Sequence, residues 1–157
     1  MKKAQAITQL LDEIGDGLIV ASLGMISREL FDLRLKRGET TSDFYMQGSM
    51  GCAVGLGLGL ALHTKKQVYV LTGDGALLMK LGSLATVLRC NPPNLHIVVL
   101  NNDCHESCGG QPTSFDAIRK FLPVRVIDID TGSSDGLGRP TISPDVITKK
   151  FREKINS

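Results

Sequence analysis

Apolar residues along this chain recur in two alternating patterns, short continuous runs and longer segments with helical spacing. The short runs predict five strands, at residues 18–21, 43–46, 67–72, 95–100 and 124–129. The longer segments predict five helices, at residues 3–14, 27–36, 48–63, 76–90 and 144–155. Strands that alternate with helices in this way predict an α/β fold, in which a mainly parallel sheet carries helices on both faces.

Length and composition narrow the class of protein. The 157 residues, 42% of them hydrophobic, predict a single domain over residues 1–157. A net charge of +2, without a basic run interleaved with aromatic residues, argues against nucleic acid as a partner. No apolar run reaches about 18 residues, so we expect no membrane span. The polar start MKKAQAITQLLDEIGDG is unlike a signal peptide. We therefore expect a cytoplasmic protein whose four cysteines are free thiols.

The most informative motif is Gly73-Asp74-Gly75, followed after a helix-length segment by Asn101-Asn102. A carboxylate and a carboxamide thus follow two predicted parallel strands, whose ends open onto the same crevice. Such oxygen ligands suit a hard cation such as Mg²⁺ rather than zinc. The second glycine opens the next helix, whose free N–H groups would face an anion. The motif therefore indicates a divalent cation held against a phosphate group.

Two other kinds of site fit the residues less well. The glycine-rich segment around Gly55 and Gly57 could mark a dinucleotide fingerprint, but these glycines lie inside a predicted helix rather than at its entry turn. A zinc site would lack a convincing fourth ligand beyond Cys104, His105 and Cys108.

Each glycine in a helix interior costs about 1 kcal/mol relative to alanine. The glycines therefore predict close packing of this helix against another element or another chain.

With its spacing, the motif pair resembles the diphosphate-binding motif of enzymes that depend on thiamine diphosphate (ThDP). In that family the Asp of the GDG motif and the second Asn bind Mg²⁺, which anchors the cofactor's diphosphate. The resemblance implies Asp74 and Asn102 as metal ligands, with the backbone carbonyl of Cys104 completing the set. It also implies cofactor contacts from the motif's backbone and from the first strand–helix turn, at Gly73, Asp74, Gly75, Ala76, Leu77 and Ser22.

A second turn supports the same resemblance. Gly48-Ser49-Met50-Gly51 fits the turn that precedes the GDG motif in ThDP enzymes. The resemblance implies that the Gly48 carbonyl accepts the cofactor's amino group and that Ser49 lies within the cofactor-binding turn. It further implies that Met50 wedges between the two rings, which bends the cofactor into its reactive shape. The alternative is a methionine that simply packs in the core.

Longer blocks make the resemblance more specific. The chain looks like the C-terminal half of phosphonopyruvate decarboxylases and, more distantly, the beta subunit of sulfopyruvate decarboxylases, in SRELF, FYMQGSMG, GDGALLMKLGSLATV and NNDCHESCGGQPT. This implies a ThDP-dependent 2-oxo acid decarboxylase and the diphosphate-binding (PP) domain of its fold. Asp103 and Cys104 depart from the small pair expected there, and Leu23 departs from a turn usually rich in Thr or Asn. The identity of the 2-oxo acid therefore stays open.

The resemblance also implies a division of the active site between chains. In this family the glutamate that activates the cofactor lies on a pyrimidine-binding (Pyr) domain, whereas the matching blocks all belong to the PP domain. We therefore expect a Pyr-domain alpha subunit as partner, an α2β2 assembly, and a chain that is inactive alone. A non-catalytic, ThDP-binding regulatory subunit is the alternative from a different class of function.

Three polar side chains are candidates for the reaction itself. His105 and Glu106 follow the metal motif and could form a proton relay, or belong to a surface loop or partner contact. Arg28 follows the first strand–helix turn. It could hold the anionic group of a small 2-oxo acid by bidentate hydrogen bonds, or lie on a helix surface.

Overall fold

The computed structural model describes residues 1–40, 42–132 and 136–157. Within these ranges one sheet contains five parallel strands: β1 Leu18–Ala21, β2 Phe44–Tyr45, β3 Val68–Gly73, β4 Leu95–Asn101 and β5 Arg125–Asp128. The helices are α1 Lys3–Ile14, α2 Met25–Lys36, α3 Ala53–His63, α4 Asp74–Met79, α5 Ser83–Cys90 and α6 Pro144–Asn156. The predicted α/β fold class is confirmed. None of the described helices is both long and apolar enough to cross a membrane.

Apolar side chains of the central strands fill both faces of the sheet. On one face, Ile19 and Leu71 pack in a cluster with the apolar sides of α1 and α2. On the other face, Val20 and Val70 pack with side chains from α3, α4 and α5. Burial on both faces explains why these strands are continuous apolar runs in the sequence rather than alternating patterns.

The order of the strands creates a crevice in the middle of the sheet. The order is β2-β1-β3-β4-β5, so the chain moves outward from β1 to β2 and then returns to build the other half of the sheet from β3. The connections that leave β1 and β3 pass to opposite faces of the sheet, through α2 and α4. In open α/β sheets, ligands bind where neighbouring connections diverge in this way.

Two predicted helices are shorter than expected. The helix predicted over residues 76–90 is interrupted after α4, where Lys80 leaves the helical region with φ −138°, and α5 begins at Ser83. The helix predicted over residues 48–63 begins only at Ala53. Gly48 and Gly51 have φ values of +70° and +84°, which glycine adopts readily and a helix excludes. The first interruption lies outside the lining of the crevice, whereas the turn at residues 48–51 borders it through Met50.

Candidate functional site

The crevice between the carboxyl ends of β1 and β3 contains most of the residues predicted to bind the cofactor. The predicted residues that line it are Ser22, Met50, Gly73, Asp74, Gly75, Ala76, Asn102, Cys104, His105 and Glu106. They come from four separate stretches of the sequence, which the parallel sheet brings to one edge. The structure therefore joins the GDG motif, the second asparagine and the following loop in one concave site.

Four other predicted residues lie beside the crevice rather than in its lining. Gly48 and Arg28 line a neighbouring groove. Ser49 faces a separate apolar depression near the start of α3. The side chain of Leu77 is buried in the core, so only its backbone is available to a ligand. A role for these four residues in binding stays a prediction.

Asp74, Asn102 and Cys104 bring three polar atoms to one point of the crevice. One terminal atom of the Asn102 carboxamide lies 3.0 Å from the carbonyl oxygen of Cys104 and 3.3 Å from Oδ1 of Asp74. If the amide nitrogen takes that position, it donates hydrogen bonds to both oxygens. If the amide oxygen takes it, it accepts a long hydrogen bond from the N–H of Cys104 at 3.4 Å, and three oxygens converge where a cation would offset their repulsion.

The spacing and chemistry of this oxygen set fit Mg²⁺. In octahedral coordination at about 2.1 Å, neighbouring ligand oxygens are roughly 3 Å apart, close to the separations at Asn102. Asp74 is 2% exposed, and its two side-chain neighbours here, Thr113 and Asn102, are both neutral. A buried carboxylate is costly without a compensating positive charge. A hard cation would supply that charge, so the residues present fit the metal that the motif predicts.

Cys104 is suited to contribute its carbonyl group rather than its sulfur. Burial raises the pKa of the Cys104 thiol, and the nearby carboxylates of Glu106, Asp74 and Asp103 raise it further. The raised pKa keeps the thiol protonated at neutral pH in the protein without metal. Among the described residues no group of three His, Cys, Asp or Glu side chains is placed to hold a metal ion. The alternative zinc site has no support.

His105 packs directly on the start of α4. A Cβ atom added to Gly75 would lie only 2.7 Å from Nδ1 of His105, so the imidazole occupies space that only glycine leaves open. The backbone of His105 is fixed in turn, because its N–H donates to the carbonyl of Gln111 at 2.8 Å. This close contact explains sterically why the second glycine of the GDG motif is a glycine. The imidazole lies beside the start of α4, where the motif predicts a phosphate group.

Glu106 is held by a residue that the sequence analysis missed. Lys3, the first residue of α1, is 2% exposed and lines the crevice, and its Nζ donates to Oε2 of Glu106 at 2.9 Å. The other oxygen of Glu106 accepts a short hydrogen bond from the N–H of Gly132. Burial raises the pKa of Glu106, but the bonds from Lys3 and Gly132 outweigh it and leave the pKa below its ordinary value. A lysine near the start of a chain carries no sequence signal for such burial.

Thr113 is a second residue that the sequence analysis did not assign to the site. Its hydroxyl donates to Oδ2 of Asp74 at 2.5 Å. The only sequence signal was its membership of the block NNDCHESCGGQPT, which gave no role to individual residues after Glu106. The contact crosses 39 positions of the chain, so local patterns could not predict it.

The turn at residues 48–51 lies against the helix α4 that follows the GDG motif. A Cβ atom on Gly51 would lie 3.1 Å from the carbonyl oxygen of Ala76, so the turn approaches the backbone of α4 closely. Met50 is partly exposed and lines both the crevice and the neighbouring groove. Met50 is therefore not simply packed in the core. It lies at the boundary between the crevice and the groove.

The neighbouring groove is positively charged. It shares Leu23, Gly24, Met50 and Ser107 with the crevice, so the two form one continuous depression. Its described lining contains two arginines, Arg28 and Arg139, and no aspartate or glutamate. Nη1 of Arg28 donates to the carbonyl of Leu137 at 3.0 Å, which ties it to the segment that carries Arg139.

Comparison with known proteins gives a consistent match. Residues 20–133 match the family described as thiamine pyrophosphate enzyme, C-terminal TPP binding domain. The chain is 37% identical to phosphonopyruvate decarboxylase of Streptomyces viridochromogenes, across 97% of this chain and 46% of that protein. It is 42% identical to sulfopyruvate decarboxylase subunit beta of Methanothermobacter thermautotrophicus, across 75% of this chain and 62% of that subunit. For the corresponding subunit of Methanocaldococcus jannaschii the identity is 39%, across 71% and 58%. Nearly all of this chain matches the Streptomyces phosphonopyruvate decarboxylase, but the chain spans only about half of that protein's length.

Proposed function

We propose that this chain is the PP subunit of a heteromeric 2-oxo acid decarboxylase. The chain belongs to the family of thiamine diphosphate enzymes, because it matches the C-terminal cofactor-binding domain of that family. Residues 1–157 form one PP domain in this proposal, and a separate alpha subunit contributes the Pyr domain and its activating glutamate. The observation that carries the proposal is the convergence of Asp74, Asn102 and the Cys104 carbonyl at the crevice. The relatives named as beta subunits support a partner chain.

The chain's own residues would hold the cofactor's diphosphate through Mg²⁺. Asp74, Asn102 and the carbonyl of Cys104 would supply the oxygen ligands, and Gly75 and Ala76, in the first turn of α4, line the same crevice. When bound, ThDP supplies the nucleophilic carbon and the electron sink for loss of CO₂. Met50 lies at the junction with the groove, where it would set the shape of the bound cofactor.

The groove beside the crevice would bind the anionic end of the substrate. Arg28 and Arg139 line this groove, and its described lining contains no acidic residue. The charges of the two arginines are therefore not neutralised within the groove. A guanidinium donates parallel hydrogen bonds to the oxygens of a phosphonate, sulfonate or carboxylate. His105, which lines the crevice, is the residue we propose to carry a proton in the reaction.

Glu106 has a different task in this proposal from the acid–base role expected from sequence. Its two oxygens are engaged by Lys3 and by the backbone of Gly132. Its lowered pKa keeps it ionised at neutral pH, so it has no proton to donate. We propose that it anchors the loop that carries His105, while a direct part in proton transfer stays a prediction.

The proposal is tested by decarboxylation assays on the chain purified with its partner from its host. Asp74→Ala should abolish turnover, because it removes the only carboxylate from the oxygen set and with it the cofactor's anchor. Asp16→Ala is the matched control, since Asp16 is exposed and lies before the amino end of β1, away from the crevice. Turnover by Asp74→Ala at the wild-type rate would rule out the assigned cation site.

The same assay separates the candidate substrates. Faster turnover of phosphonopyruvate than of sulfopyruvate would support the substrate that we favour, and the reverse order would support the function named for the beta-subunit relatives. An assembly that binds ThDP and Mg²⁺ but turns over neither acid would favour the non-catalytic, regulatory alternative.

A further inference from the structure

The loop that follows the second asparagine is closed at its base by two residues. Asp103 and Thr113 mark its ends, and the N–H of Thr113 donates to the carbonyl of Asp103 at 3.0 Å. Cys104 pairs with Pro112 in an antiparallel bridge just inside this base. The closed loop therefore contains both the Cys104 carbonyl of the oxygen set and His105, which packs on Gly75.

The hydroxyl group of Thr113 lies between two carboxylates. It is 2.5 Å from Oδ2 of Asp74 and 3.1 Å from Oδ1 of Asp103. A hydroxyl has one proton to donate, and the shorter distance identifies Asp74 as its acceptor. Oδ2 of Asp74 is thereby occupied, and the free oxygen, Oδ1, is the one that faces Asn102.

Asp103 is held in an unusual conformation that keeps this contact in place. Its φ is +50°, a value that residues other than glycine adopt rarely. Oδ1 of Asp103 accepts the N–H of Phe115 at 2.9 Å, and its own N–H donates to Oδ1 of Asn101 at 3.2 Å. Since Phe115 is fully buried, these bonds fix Asp103, and through it Thr113, to the core.

We propose that Thr113, held by Asp103, is a positioning residue for the cation site. Its hydroxyl fixes the Asp74 carboxylate so that Oδ1 faces the cation, and it fastens the base of the loop to that ligand. This hydrogen bond links the Asp74 ligand to the base of the loop that carries His105, in addition to the link through the neighbouring Cys104 carbonyl. The inference rests on the proposed function, in which Asp74 holds Mg²⁺.

The chain allows a clean test, because the hydroxyl can be removed without changing the shape of the side chain. Thr113→Val keeps the branched shape, and Thr113→Ser keeps the hydroxyl but removes the methyl group that lies 3.5 Å from the Cβ position of Gly75. Thr148→Val is the matched control, since among the described residues its hydroxyl donates to the carbonyl of Pro144 within helix α6, and Thr148 does not line the crevice. Thr113→Ala removes the same hydroxyl with less bulk and takes the place of Thr113→Val if that variant does not fold.

The measurement is the dissociation constant of Mn²⁺, used as the probe for the cation site. It is determined by electron paramagnetic resonance with saturating ThDP, on the chain purified with its partner from its host. We expect Thr113→Val to bind Mn²⁺ roughly 10- to 100-fold more weakly than wild type, the range for residues that orient metal ligands. Thr113→Ser and Thr148→Val should stay close to wild type. The free energy of unfolding in EDTA, measured in parallel, separates loss of metal binding from loss of stability.

The outcomes distinguish this inference from the function on which it rests. Unchanged Mn²⁺ affinity in Thr113→Val, while Asp74→Asn abolishes binding, would overturn the positioning role and leave the cation site standing. Weak binding in Thr113→Ser as well would overturn the role of the hydroxyl. If the wild-type assembly bound Mn²⁺ no more tightly than the Asp74→Asn variant, both the cation site and this inference would be overturned.

Discussion

Lys3 and Glu106 link the first helix of the chain to the loop that borders the crevice. The ammonium group is 2% exposed and the carboxylate side chain 18%, so the pair is largely removed from water. Breaking a buried ion pair by removing one partner leaves the other charge buried and uncompensated. These two residues, more than 100 positions apart, therefore connect folding of α1 to the order of the segment that carries His105.

Lys3→Met tests this connection through the pH dependence of stability. The pKa of Glu106 is lowered in the folded protein, so the pair stabilises the fold above the ordinary glutamate pKa of about 4.3 and loses that effect as pH falls below it. We expect Lys3→Met to lower the free energy of unfolding by about 3 kcal/mol at pH 7, with the deficit shrinking below about pH 4. Denaturant unfolding from pH 3 to 7 measures it.

Lys2→Met is the matched control for this prediction, since Lys2 is the exposed neighbour of Lys3. It should change the free energy of unfolding by less than about 0.5 kcal/mol. A deficit in Lys3→Met that is the same at pH 3 and pH 7 would contradict a role through the ionised Glu106.

At the scale of the secondary-structure elements, the sequence predicted each strand of the sheet and the position of the GDG motif at the end of β3. For the central strands β1, β3 and β4 this succeeded because a strand buried on both faces is a nearly continuous apolar run. The break between α4 and α5 was missed, because the apolar spacing continues through Lys80 and does not reveal a backbone that leaves the helical region there. Lys3 and Thr113 were missed for another reason: their roles depend on contacts across the fold.

Helix α3 fulfils the expectation of close packing at one of its glycines. A Cβ atom on Gly57 would lie 2.2 Å from Cγ2 of Val70, so this glycine lets the helix approach β3. Gly59 has nothing within 4 Å of its Cβ position and is exposed, as is Leu62. A helix that is apolar on its exposed side is expected to be covered by another chain, which agrees with the proposed partner subunit.

Gly57→Ala and Gly59→Ala should therefore have opposite effects on the free chain. We expect Gly57→Ala to destabilise it by about 1–3 kcal/mol through overpacking against Val70. Gly59→Ala should stabilise it by about 0.5–1 kcal/mol, because alanine favours the helix and meets no neighbour. Denaturant unfolding of the two variants provides the comparison. Equal stability of the two variants would contradict the packing of α3 on β3.

At the scale of the whole molecule, the strand order determines where the site lies. The crevice forms where the connections from β1 and β3 pass to opposite faces, and the GDG motif follows one of these strands directly. The groove with Arg28 and Arg139 extends the crevice along one side. In the proposed function, a cation, a diphosphate and an anionic substrate would thus lie in one continuous depression.

The proposed function requires that this chain hold ThDP through Mg²⁺ and share an active site with a second subunit. Native mass spectrometry of the tagged chain, isolated from its host in ThDP and Mg²⁺, measures both properties at once. We expect a complex that contains a second small subunit together with ThDP and Mg²⁺, with a mass that fits α2β2. A homo-oligomer without bound cofactor would contradict the proposed function.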